Sequence, residues 1–388
     1  MRRSCSIGSV FMAVMLGVLL LGFTMSAAAQ SDAARTIYGT AASVATNIPS
    51  VHTFAGAPAG FDPRSASDEV LATYGFPPSP NQTADPDGYA RWANAMALAK
   101  HQWNGELKEH PEFSARGIAL PKDALNAESS TPAVSTGPTI FNSPCCAGTV
   151  NSTPVKTWSA RSIDSVNAQF NEPFAQEAFA ALGSPGNICD NNVDLGLTYA
   201  AIDNSPADGE FLAGGTTWLA YCSAAGSGTG YSADFQWVPG PFTDVFAVNP
   251  GDDIYVQVYS VLGGCNPAYV FIEDLTQQVY GTYQVMPPSS TSCLVGNAAM
   301  LVVQRAYGNS EVPTDLYPLP NFVNEFALSS SENGKGQVFY PGSKTASTYL
   351  GTMTDDSGTI AISVPVQEGN SSIFFYDENC AEVGGCTP

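Results

Sequence analysis

Histidine is nearly absent from this 388-residue chain: His52, His101 and His110 are the full set, and none follows residue 110. The remaining two thirds of the sequence cannot build a serine–histidine or cysteine–histidine catalytic arrangement from its own residues, because the proton carrier in both is an imidazole. Cations are scarce as well. Fourteen Lys and Arg stand against 35 Asp and Glu, a formal net charge of −21. The imbalance is uneven: residues 30–140 carry seven basic against eleven acidic side chains, and residues 141–388 five against twenty-four. Such a surface repels nucleic acid and anionic lipid, since both need clustered cations, so no nucleic-acid partner is expected. Few groups would stay positive in acid. Protonating the carboxylates would leave a nearly neutral chain, which is compatible with an acidic habitat. Past the N-terminus, no apolar run is long enough to span a bilayer.

The N-terminus itself reads as an export signal. Arg2 and Arg3 precede an apolar run from Val10 to Phe23, and Ala27-Ala28-Ala29 fits a cleavage site that would leave Gln30 first. The apolar run is short for a retained membrane anchor, so a secreted or periplasmic protein without an anchor is expected. Cys5 leaves with the signal. Eight cysteines remain: Cys145, Cys146, Cys189, Cys222, Cys265, Cys293, Cys380 and Cys386. An even number in an exported chain favours disulfides. Cys380 and Cys386 are expected to close a small C-terminal loop, and the adjacent Cys145 and Cys146 to have two different partners. Zinc is not expected, since no histidine accompanies these cysteines and their spacing is not that of a finger. No metal or other cofactor is implied.

Residues 30–60, rich in Ala, Thr, Ser and Gly, read as extended or disordered. Residues 61–116 form a helical, leader-like segment. A short helix is predicted after Ser65 or Ser67, ended by Gly75-Phe-Pro-Pro-Ser-Pro80. A second begins at Asp85-Pro86 and runs to about Leu107, with Tyr89, Trp92, Met96, Ala99 and Trp103 as its apolar stripe. His101 and His110 lie on or just past it, expected as ordinary packed or solvated side chains. Residues 117–143, with Pro121, Pro132 and Pro138, read as a linker.

From Pro144 the pattern is one of short strands separated by turns. Among them are Val166–Pro173, Leu195–Asp203, Thr216–Cys222, Ser232–Pro239, Pro250–Tyr259, Ala268–Thr276 and Asn297–Arg305. In the fifth, Ile254, Val256 and Val258 share one face, and Tyr255, Gln257 and Tyr259 the other. The first face suits a core; the second suits a covered or ligand-facing surface. Many short strands without helices predict an antiparallel β-sandwich or jelly roll over residues 144–345, with residues 346–388 a C-terminal β-hairpin extension. The glycine-rich Gly226-Ser-Gly-Thr-Gly230 precedes neither a lysine nor a helix, so it reads as a hairpin reversal and not a phosphate loop. With no histidine in this region and its cysteines paired, carboxylate and amide chemistry remain: paired carboxylates, or a carboxylate that takes a proton from water beside an amide that steadies the oxyanion.

The runs Tyr199-Ala-Ala-Ile-Asp-Asn204, Phe211-Leu-Ala-Gly-Gly-Thr216, Tyr231-Ser-Ala-Asp-Phe-Gln-Trp-Val-Pro239, Val248-Asn-Pro-Gly-Asp-Asp-Ile254, Asn297-Ala-Ala-Met-Leu-Val-Val-Gln-Arg305 and Leu319-Pro-Asn-Phe322 together resemble the glutamic peptidases of the G1 (eqolisin) family. Phe61-Asp-Pro-Arg64, Tyr74-Gly-Phe-Pro-Pro78 and Tyr89-Ala-Arg-Trp92 are similar to leader regions of bacterial relatives. The resemblance implies a concanavalin-like β-sandwich with its site on a concave sheet. It also implies where the catalytic pair should stand, and this chain departs there. Ala213 occupies the place of the family's catalytic glutamine and Met300 that of its glutamate. The family's tryptophan becomes Tyr199 and a further glutamate becomes Gln236, while Asp203, Trp237 and Pro239 are kept. Neither alanine nor methionine can exchange a proton or donate a hydrogen bond from its side chain.

These substitutions imply the sandwich without its usual catalysis, holding peptide or glycan against an aromatic groove lined by Tyr199, Asp203, Asp234, Gln236, Tyr255, Gln257 and Tyr259. Two alternatives stay open. One is an acid endopeptidase that uses relocated groups among Asp203, Asp234, Gln236, Gln257 and Gln304. The other is a lectin-like carbohydrate-binding module, since fold does not fix function. A monomer is expected.

Overall fold

The computed structural model describes residues 41–115, 117–118, 138–176, 193–203, 210–308, 319–322, 325–342, 347–355 and 357–378. It is mainly antiparallel β, as expected. The longer strands are β1 Thr139–Ser143, β2 Cys146–Ser152, β3 Ile163–Asn171, β4 Val193–Ile202, β5 Phe211–Ser223, β6 Gly226–Val238, β7 Phe242–Ala247 and β8 Asp253–Tyr259. They continue with β9 Ala268–Asp274, β10 Val279–Val285, β11 Ala298–Arg305, β12 Glu325–Asn333, β13 Ser347–Thr354, β14 Ala361–Gln367 and β15 Ser372–Asp377.

Hydrogen-bonded neighbours sort these strands into two layers. The front layer runs β7–β6–β5–β4–β11–β2–β13, with Lys108–His110 added outside β7. The back layer runs β15–β12–β3–β8–β9–β10, with Val51–Thr53 and His101–Gln102 against β10. The ladders β13–β14 and β14–β15 join one side of the front layer to one side of the back. Between the layers lies the main core, built on Phe170, Trp218, Phe235, Trp237, Val256, Val258, Val270, Ile272, Leu301, Val303 and Phe322. The alternation in β8 is resolved as expected on that side: Ile254, Val256 and Val258 are fully buried within it.

The other face of β8 is where the helices go. Helix α1, Asp68–Thr73, and helix α2, Pro86–Leu98, lie over the outer face of the back layer. Asp85 caps α2 by accepting from the Gly88 N–H, and Pro86 sits in the first turn, where a missing N–H costs nothing. Gly75, at φ +71°, takes the left-handed turn that ends the α1 region, and Phe76 N–H returns to the Leu71 carbonyl. Leu71, Phe76, Trp92 and Met96 pack on Tyr255, Tyr259, Tyr269, Phe271 and Tyr280. Each such side chain taken from water stabilises by roughly 1.5–3 kcal/mol. Buried Arg91 adds a polar pin: Nε and Nη2 donate to Asn167 Oδ1 at 3.0 and 2.8 Å, and Nη2 also reaches Ser330 Oγ at 2.6 Å.

Four expectations need correcting. Helix α2 ends at Leu98 rather than near Leu107, because His101–Gln102 pair in parallel with β10; His101 and Trp103 are therefore not helical. The stretch read as a linker ends in β1, which runs parallel to β13. The expected C-terminal hairpin forms, β14 pairing with β15, but it is not an appendage, since β13 pairs with β2 and β15 with β12. Cys145 and Cys146 are bonded to each other, their Cα atoms only 3.7 Å apart, with both side chains buried in one apolar cluster. Cys265 pairs with Cys293. Cys380 and Cys386 lie outside the described residues.

Candidate functional site

The registers align one row of side chains across the outer face of the front layer. Gln236 of β6 stands opposite Ala213 of β5, Ala213 opposite Ala201 of β4, Ala201 opposite Met300 of β11, and Met300 opposite Val150 of β2. Directly opposed residues on antiparallel strands project to the same face. Ala213 and Met300 therefore share that face with Ala201 between them, and all three belong to one apolar cluster separate from the main core. On β6 the same parity puts Asp234 and Gln236 on this face and Phe235 and Trp237 in the core.

Two residues along β4 a second row passes through Tyr199, with Gly215 on one side and Val302 and then Gly148 on the other. Tyr199 lies stacked against Phe211, ring centroids 6.0 Å apart, and its hydroxyl donates to Gln304 Oε1. Burial pushes that hydroxyl above the ordinary tyrosine range. Gly215 makes the arrangement possible, for a Cβ there would meet the Thr198 carbonyl oxygen at 2.0 Å and Tyr199 Cβ at 2.8 Å.

What covers this face is the chain itself. Lys108–His110 pair with β7, Phe113–Ser114 pair with Tyr307–Gly308, and Phe113, Ala115 and Ile118 are all buried in the apolar cluster of the outer face. Residues 108–115 with 117–118 thus form a strap from the β7 edge to β13, where Ile118 lies against Gly351. Gln236 grips its middle. The side-chain carbonyl accepts from the Ala115 N–H at 2.8 Å, while Nε2 donates to Ser114 Oγ at 2.9 Å and to the Gly240 carbonyl at 2.7 Å. At the β7 end His110 stands between two carboxylates, Nε2 2.9 Å from Asp244 and Nδ1 2.5 Å from Glu112, and stacks on Phe113. Desolvation raises the pKa of Asp244 despite His110, whereas Glu112, mostly exposed, is lowered by the His110 hydrogen bond in spite of a desolvation cost. Asp234 faces Asp244 across the β6–β7 ladder and accepts from Thr217; burial raises its pKa well above the carboxylate norm.

Of the residues singled out in the sequence, the structure brings Tyr199, Asp234, Gln236 and Gln304 to the front layer. It does not bring Tyr255, Gln257 and Tyr259 there. These face the opposite side of the molecule, no more than 1% exposed, beneath the N-terminal segment. The Tyr255 hydroxyl donates to Gln257 Oε1 at 2.7 Å, and Gln257 Nε2 reaches the Pro78 carbonyl at 3.1 Å. A single groove lined by both sets is therefore corrected to two faces, each covered by a different N-terminal element. Asp203 serves the backbone: at φ 76° it ends β4, and its carboxylate accepts from the N–H groups of Val295 and Asn297. The strap contacts were missed in the sequence, where Gly117 and Ile118 carry no periodic signal. Among the described residues no group of three or more His, Cys, Asp or Glu is placed to hold a metal ion.

Comparison with known families matches residues 146–373 to the Peptidase A4 family. That stretch is more than half of the chain, and the chain belongs to this family, the glutamic-peptidase group expected from its strand motifs. A search of curated proteins finds no match. Among solved structures, scytalido-glutamic peptidase with a peptide-based transition-state analog aligns at 15% identity and a TM-score of 0.46, covering 61% of this chain and 100% of that one. SCP-B, a member of the Eqolisin family in complex with the tripeptide Ala-Ile-His, aligns at 13% identity and 0.44, with the same coverage. Aspergilloglutamic peptidase from Aspergillus niger aligns at 16% identity and 0.37, covering 47% of this chain and 99% of that one.

Proposed function

We propose that this peptidase-like protein is exported and holds an extended peptide on the outer face of the front layer without cutting it. One observation carries the reading: the row Gln236–Ala213–Ala201–Met300–Val150 contains one amide and no carboxylate. Proteolysis by this family's chemistry needs a base to take a proton from water and a donor to steady the oxyanion. Alanine and methionine supply neither. Losing one oxyanion donor alone costs on the order of 100- to 1000-fold. A peptide fits the face better than a glycan, because the polar reader there, Gln236, already engages backbone N–H, hydroxyl and carbonyl groups of a polypeptide.

A second reading has Asp234 in its favour. It is a buried carboxyl of raised pKa two residues from Gln236 on the same face, so a relocated carboxylate–amide pair is chemically conceivable. Digestion of casein between about pH 2 and 5, where such carboxyls work, separates the two. The binding reading expects intact casein. Cleavage that disappears in Asp234→Ala or Gln236→Ala would overturn it in favour of the relocated pair.

A further inference from the structure

Resting on the reading of this face as a peptide site, we infer that Phe113, Ser114 and Ala115, with Ile118, are its resident ligand: a piece of the chain that Gln236 reads through one backbone N–H and one hydroxyl, and that any outside peptide must displace. The strap behaves as a bound peptide does. Phe113–Ser114 form a short ladder with Tyr307–Gly308, and Phe113, Ala115 and Ile118 lie in the apolar lining. Main-chain pairing supplies affinity in such recognition and side-chain pockets supply selectivity. The strap engages the carboxamide of Gln236 on its oxygen through the Ala115 N–H and on its nitrogen through Ser114 Oγ, while the Gly240 carbonyl takes a second Nε2 bond, so an outside peptide cannot make the strap's two contacts while the strap is seated.

The strap also names the class of ligand. Phe113 inserts beside Phe242, ring centroids 4.9 Å apart, so an aromatic residue leads. A hydroxyl-bearing residue follows at Ser114, then a small one at Ala115, where Gln236 takes the N–H, and a branched apolar residue completes the contact at Ile118. The anchor that keeps the strap in place meets this reading surface only where His110 stacks on Phe113. His110, between Asp244 and Glu112, fastens the segment to β7 without touching Gln236. Holding and recognising are thus separable by mutation.

The experiment uses the full chain and a fluorescein-labelled peptide copying residues 110–118. In the wild type the tethered strap competes at high effective concentration, and labelled peptide binds weakly. In His110→Ala, amide hydrogen exchange at Ser114 and Ala115 should quicken and peptide affinity should rise at least tenfold. In His110→Ala with Gln236→Ala that gain should vanish. His110→Gln, which keeps a polar side chain in place of the imidazole, guards against a folding defect in the alanine variant and should give the same direction. Unchanged exchange at Ser114 and Ala115 in both His110 variants, with native near-ultraviolet dichroism, would show the strap to be a fixed part of the core and overturn the inference. Quickened exchange with no peptide bound would overturn the resident-ligand assignment through failure of the peptide-site reading itself, a different failure from an immobile strap.

Discussion

Ala213 and Met300 flank Ala201 in a single cross-strand row, both β-carbons on the outer face of the front layer. A shift of one residue in either strand would have sent that side chain into the core instead. The row fixes what can be tested at these positions. Met300 is 1% exposed, so Met300→Glu buries a carboxyl within an apolar cluster. Destabilisation by about 3 kcal/mol is expected at neutral pH, where ionising the group is costly, and clearly less in acid, where the group is neutral. Urea unfolding at the two pH values measures the difference. An equal cost at both would place residue 300 in solvent.

Stability should fall as pH rises. Burial holds the Glu325 carboxyl at a pKa of about 8 and that of Glu332 at about 7, against an ordinary 4.5. Glu172, fully enclosed, is raised well above the norm by the same desolvation. The unfolded chain loses these protons from the ordinary carboxylate value upward, while the folded chain keeps them until about pH 7–8; across that window the unfolded state binds fewer protons, so unfolding becomes easier. Full stability is present below the ordinary value. The expected loss is on the order of a few kcal/mol. Thermal melts from acid to mildly alkaline pH should show a declining Tm, and Glu325→Gln should flatten the slope while raising Tm near neutrality.

Arg91 ties α2 to the back layer through Asn167 and Ser330, and Ser330 in turn donates to Asp85 at 2.5 Å. Arg91→Ala strips a buried network of its charge and leaves Asp85 with Tyr340, Ser330 and the Gly88 N–H as partners. A cost of about 3–5 kcal/mol is expected, with earlier loss of α2 than of the sandwich. Limited proteolysis should then cut within residues 80–105 before any cut in the strands. Simultaneous loss of both would show the helices and the sandwich to be one cooperative unit.

The mature protein is expected to keep its N-terminal segment. Trp92, Met96, Leu71 and Phe76 cover Tyr255, Tyr259, Tyr269 and Phe271, and a chain starting near residue 140 would lay that aromatic sheet face bare, a patch far larger than soluble surfaces usually carry. Mass analysis of exported material should give an N-terminus at or near Gln30. A variant beginning at residue 138 should aggregate on refolding.

Local pattern made much of this legible. Period-two alternation placed Ile254, Val256 and Val258 in the core, and the motif order singled out Ala213 and Met300, which share one outer face. What local pattern cannot carry is which outer face a strand belongs to, or what lies over it. Tyr199 and Tyr255 look alike in sequence, yet they end on opposite sides of the sandwich because β4 and β8 sit in different layers. The Cys145–Cys146 bond was hidden because two neighbours in sequence suggest two distant partners. β13 was read as peripheral because its ladder partner β2 lies almost two hundred residues earlier in the chain, and such pairings leave no mark within a window.

Among the described residues, strand ladders join the two layers directly along one side, through β13, β14 and β15. On the opposite side residues 101–110 bridge the two borders, pairing with β10 beside Val51–Thr53 at one end and with β7 at the other. Asn47 locks this bridge by exchanging two hydrogen bonds with the Leu107 backbone, 2.8 and 2.9 Å, beside a cavity of about 530 Å³. The molecule is hinged like a book at its C-terminal spine and fastened by an N-terminal clasp. Cutting the clasp would unpair part of both strand borders at once, and such borders recruit other chains.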